Sequence, residues 1–104
     1  MYDEKEISHA SIVFAALSNP TRLKILSIIS ETKRPLHIKA VAQILKMDYA
    51  AIYRHIAVIK EANLLQIFEV GRSRVLSPLH VEVVKQLIQQ ANAIVKIVSN
   101  ETLI

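Results

Sequence analysis

Tyr49, Tyr53 and Arg54 stand among isoleucines spaced three and four apart, just after Asp48. If residues 49–62 form a helix, Ile52, Ile56 and Ile59 make one inward stripe. Tyr49, Ala50, Tyr53, Arg54 and Ala57 then share the opposite face. An arginine fork on such a face matches O6 and N7 of guanine, and tyrosines reach phosphates or thymine methyls. The small Ala50, Ala51 and Ala57 let the backbone approach closely. Lys46 stands in the turn before the helix. Arg72, Ser73 and Arg74 follow Gly71, the only glycine, at the tip of a β-prone hairpin. Arginines there can grip phosphate or enter a narrow minor groove. The plainer alternatives are a solvated helix face and a charged edge that discourages aggregation.

Other chemistry is sparse. With no cysteine, disulfides and thiolate metal sites are excluded. His55 sits beside the isoleucine stripe and reads as a half-buried histidine hydrogen-bonded within the motif rather than a base reader. His9 and His80 read as surface or interface residues, with no second ligand at a helical offset to hold a metal. No paired carboxylates in an apolar setting and no nucleophile placed with His and Asp suggest catalysis. No cofactor or metal is expected, and the chain does not read as an enzyme.

The length, 104 residues, suits one small domain over 1–104. The net charge is +4 and the pI about 9.6, which permits a polyanionic partner. The acids Asp3, Glu4 and Glu6 crowd the start, while the basic excess runs from Arg22 to Arg74. The opening is acidic rather than basic and then apolar, and apolar runs stop short of a membrane span. A soluble cytoplasmic protein is the expectation.

The spacing predicts five helices and one hairpin. Ile7, Ala10, Phe14 and Leu17 mark the first helix. Asn19-Pro20 restarts the chain as a cap and first-turn proline for a second helix burying Leu23, Leu26 and Ile29. A loop over 32–35 leads to a third helix, Ile38 to Leu45. Lys46-Met47-Asp48 is the turn, with Asp48 capping the fourth helix. Asn63 suits the left-handed residue at that helix's end. Strands 65–70 and 74–77 flank the glycine tip, and Ser77-Pro78 open a last helix to about Ser99. The expected class is mainly α with a small β-hairpin: a winged helix-turn-helix, four helices, two strands and a closing helix.

Two motifs carry a family resemblance. Leu17-Ser18-Asn19-Pro20-Thr21-Arg22-Leu23-Lys24-Ile25-Leu26 is similar to the opening motif of the arsenical-resistance-type (ArsR) winged-helix repressors. Tyr53-Arg54-His55-Ile56, followed by Glu61-Ala62-Asn63-Leu64-Leu65, resembles that family's Ser-Arg-His-Leu and Glu-Ala-Gly-Leu-Val. The resemblance implies a homodimeric transcriptional regulator. Where many such proteins carry a Cys-Val-Cys metal box, this chain has His37-Ile38-Lys39, and a lysine ammonium is a poor ligand. His80 and Glu82 begin the last helix, but Ala91, Ala93 and Ile94 cannot complete the tetrahedral zinc site of other members. Tyr53 in place of serine could change which bases are read.

The last helix predicts a partner. Val81, Val84, Ile88, Ala91, Val95 and Val98 recur at steps of three and four, a heptad-like seam. A stripe of about 33 Å exceeds what the short helices can cover, and left bare it would invite aggregation. A homodimer is therefore expected through Ile7, Ala10, Phe14, Val84, Ile88, Ala91, Val95 and Val98, setting the fourth helices about 34 Å apart. The leading expectation is a dimeric regulator of double-stranded DNA, a repressor occluding promoters. The rival from another class is a winged helix that binds protein, for which acids or an apolar patch would be expected on the fourth helix's face. A metal-responsive switch lacks ligands. Operator, effector and the sign of regulation are not legible.

Overall fold

A computed structural model describes residues 1–32 and 34–103, with side-chain surroundings through residue 96. The elements are α1 (Glu4–Leu17), α2 (Pro20–Glu31), β1 (Leu36–His37), α3 (Ile38–Leu45), α4 (Tyr49–Glu61), β2 (Leu65–Val70), β3 (Ser73–Pro78) and α5 (Val81–Leu103). The winged helix-turn-helix and its five helices are as expected. The order gains one strand: β1 pairs antiparallel with β3, giving a three-stranded sheet ordered β1-β3-β2. Its register joins Leu36 to Leu76 and His37 to Val75.

Local chemistry sets the breaks. The Asn19 side chain accepts hydrogen bonds from the N–H groups of Thr21 and Arg22 (2.9 and 3.2 Å), and Pro20 occupies the first turn of α2. The two helices meet at 85°. Lys46 is left-handed (φ 54°) and closes α3, its N–H donating to the Gln43 carbonyl and that of Met47 to Ala42. Asn63 (φ 61°) does the same after α4. The expected Asp48 cap is not made. Its side chain accepts no first-turn bond, and the left-handed Lys46 turn sets the start of α4 instead.

The core lies where α2, α3 and α4 meet the sheet. Ile25, Leu26 and Ile29 of α2, Ile38 and Val41 of α3, and Ile52, Ile56 and Ile59 of α4 are buried with Leu65 and Leu76. Ile25 takes the deep place expected of Leu23, which is only half-buried. Ser77 and Pro78 do not open the last helix. They extend β3, with Leu65 opposite Pro78, and the left-handed His80 (φ 53°) turns the chain into α5. No single helix among the described residues is long and apolar enough to cross a membrane.

Candidate nucleic-acid interface

The buried Ile52–Ile56–Ile59 stripe orients α4. Tyr49, Ala50, Arg54 and Ala57 are exposed on its other side, and Tyr53 is half-buried. Lys46 is exposed in the turn before it. At the wing tip Gly71 (φ 62°) and Arg72 form the turn between Val70 and Ser73, a left-handed position that glycine takes without strain. Arg72 and Arg74 are exposed and Ser73 is half-buried. His37, Lys39, Tyr49, Arg72, Ser73 and Arg74 line one open cleft between the start of α3, the start of α4 and the wing. All eight expected contact residues thus lie on α4, on the turn before it or on the adjoining wing. The cleft adds His37 and Lys39, which sequence reasoning had weighed only as a missing metal box. Among the described residues no cluster of three metal-ligating side chains occurs.

Two groups of contacts organise this face, an aromatic one first. Tyr49 and Tyr53 stack at 6.4 Å between ring centroids, 18° from parallel. The Arg74 guanidinium lies 5.2 Å from the Tyr53 ring centroid. The second group runs beneath. The Arg22 guanidinium donates to the last carbonyls of α1, through Nε to Ala16 (2.8 Å) and Nη2 to Ala15 (2.9 Å), and through Nη1 to Nδ1 of His55 (3.3 Å). Arginine has no acceptor, so Nδ1 must accept and His55 is neutral with its proton on Nε2. Arg22 thereby ties α1 to α4. Its place in the Pro-Thr-Arg motif was the only signal of this role in the sequence.

His55 is half-buried and bonded within the motif, as expected. Burial, then the nearby charges of Arg22 and Arg54, hold its pKa below the usual histidine value. A lowered folded-state pKa means that the unfolded chain binds the proton first as pH falls. Stability from this site is therefore full above the ordinary histidine pKa of about 6.5, and it is lost as pH falls from there through the lower folded-state pKa. Urea midpoints are expected to drop between pH 7.5 and 5.5, and His55→Gln should flatten that drop. A variant as pH-sensitive as the wild type would refute the assignment.

The dimer expectation divides along α5. Val84 is buried within its own chain and is not available to a partner, because the first turn of α5 lies on the core beside Leu26. Ile88 is half-buried against the same core. Ala91 and Val95 are exposed on α5, as are Ile7, Ala10 and Phe14 on α1. Ile94 is exposed as well. The Val98 side chain lies outside the described residues.

Residues 19–66 match the family model of the bacterial regulatory proteins of the arsR family. The resemblance read from the two motifs is thereby borne out: this segment, from the α2 cap into β2, matches the ArsR-type helix-turn-helix. The family is one of regulatory proteins, not enzymes. No curated protein sequence matches the chain. Solved structures agree on the fold. NolR from Sinorhizobium fredii superposes with a TM-score of 0.73 at 23% identity, covering 89% of this chain and 93% of NolR. HlyU from Vibrio cholerae N16961 gives 0.72 at 19%, covering 86% and 97%. The homodimeric winged helix-turn-helix DNA-binding domain of a possible ArsR-family transcriptional regulator from Mycobacterium bovis gives 0.71 at 21%, covering 99% and 91%.

Proposed function

We propose that the chain is a single-domain, dimeric transcriptional regulator that reads double-stranded DNA and represses by occupying promoters. The observation that carries this is the shared face of α4 and the wing. Arg54 and Tyr49 stand exposed on α4 over the small Ala50 and Ala57, with Arg72 beside them at the wing tip. In this reading α4 enters the major groove, Arg54 meets base edges, and Arg72 and Lys46 meet the flanking backbone. The dimer forms through the exposed apolar residues of α1 and α5. A homodimer on the same fold, the Mycobacterium bovis domain, supports dimerisation as such. A cytoplasmic location goes with the role.

Binding sites selected from random DNA, followed by anisotropy against salt, test the reading. Arg54→Ala should cost roughly 1–3 kcal/mol on the selected operator and much less on random DNA. Arg72→Ala should weaken both alike and reduce the slope of log affinity against log salt by about one unit. Failure of the wild type to bind any DNA with a steep salt dependence would favour a protein-binding winged helix instead.

A further inference from the structure

The two wing arginines are held differently. Arg72 sits in the turn, whereas Arg74 stands on the ladder opposite Glu69, on the strand face that also carries Leu76. That face looks toward α4. The Arg74 guanidinium is 5.2 Å from the Tyr53 ring centroid, within cation–π range, and Tyr53 is itself packed against the core and stacked with Tyr49.

The sheet register shows why this contact matters. β1 pairs only with Val75 and Leu76 of β3. Arg74 is the first residue beyond the reach of β1, so the wing from Arg74 to the tip is a two-stranded ribbon, an element of marginal stability by itself. The Tyr53 contact is where this ribbon meets the DNA-facing side of α4.

We propose that Arg74 and Tyr53 form a clasp between the wing and α4, making Arg74 a positioning residue for sequence discrimination and leaving Arg72 as the phosphate contact of the tip. This rests on the DNA-reading function proposed above. The clasp fixes the distance between the side chains that meet base edges and the charge that meets the backbone. A site whose base and phosphate positions fit that distance gains from both, and a loosened wing lets mismatched sites recover their phosphate contact.

Proton NMR of the free protein and anisotropy on the selected operator and random DNA test the clasp together. The Arg74 side-chain protons should be shifted upfield by the Tyr53 ring, unchanged in Tyr53→Phe and lost in Tyr53→Leu. Arg74→Ala should lower the operator-to-random affinity ratio about three-fold, the size of one exposed cation–π contact, with little change in salt slope. Arg74→Lys, which keeps the charge without the planar guanidinium, should recover only part of that ratio. Once Tyr53 is Leu, Arg74→Ala should change the ratio no further. Circular dichroism confirms that each variant is folded. An Arg74→Ala protein that loses operator and random binding alike, with the slope reduced by about one unit, would make Arg74 a second phosphate contact and overturn the clasp while leaving DNA reading intact. Absence of the upfield shift in the wild type would also overturn it. If the wild type does not distinguish operator from random DNA, base reading fails, and the ring-current shift alone decides the clasp.

Discussion

Aspartate at both Ile94 and Val95 is expected to give a folded monomer that has lost tight operator binding. These side chains are 64% and 62% exposed within one chain, so the charges are solvated in the monomer and cost it little. Phe14 and Ile7 on α1 are similarly bare, at 58% and 52%. If these faces meet across a twofold axis, each aspartate appears twice in the apolar interface without a partner, and burying unpaired charge is strongly unfavourable. A monomer holds one half-site and forfeits the effective concentration that a linked second half-site provides. Operator affinity should fall by about 100-fold or more, while weak binding to random DNA persists. Sedimentation at micromolar concentration, with anisotropy on the same samples, reads both effects. A wild type that sediments as a monomer, or a double variant that stays dimeric, would sink the proposed interface. Val84→Asp makes the contrast. Val84 is already buried in its own core, so a charge there should unfold the domain rather than split a dimer.

That distinction was beyond the sequence, where Val84, Ile88 and Val95 form one continuous seam. Periodicity says which residues share a face. It does not say where along a helix the face leaves its own domain. The same limit applies elsewhere. Asn19, Asn63 and Gly71 were legible because each does its work within a few residues: a side-chain cap and two left-handed turns. The strand β1 was not. Two residues carry no period, and Leu36 finds its partner at Leu76, forty positions away in the chain. Pro78 misled because a proline suits the end of a strand as well as the start of a helix. In the candidate interface the exposed residues of α4 and the wing were readable from spacing and charge. The contacts between them were not. Arg22 with His55, and Arg74 with Tyr53, join residues that only the tertiary fold brings together. Arg74 in particular read as one more basic residue at a tip. The ladder register places it on the strand face that carries Leu76, within reach of an aromatic ring of α4.

Ile56→Ala is expected to cost roughly 2–5 kcal/mol of folding stability, the range for emptying a fully buried branched site. Ile56 is 0% exposed, at the middle of the α4 stripe. It packs in the same cluster as Ile25, Val41 and Leu65, side chains drawn from three other elements that cannot all move in to refill the space. A domain of this size has about 5–15 kcal/mol in total, so one such cavity removes a large share. Val58, two residues along the same helix and 39% exposed, supplies the control. Val58→Ala loses little buried surface and should change stability by about 0.5 kcal/mol or less. Urea unfolding at one fixed protomer concentration separates the two, since a dimer's apparent stability depends on concentration. A loss below about 1 kcal/mol at Ile56 would mean that α4 is not anchored by this stripe. The outward aim of Tyr49 and Arg54 follows from that anchor. A helix free to roll about its axis would expose a different set of side chains, so the hidden isoleucines decide which residues the proposed DNA-reading face presents.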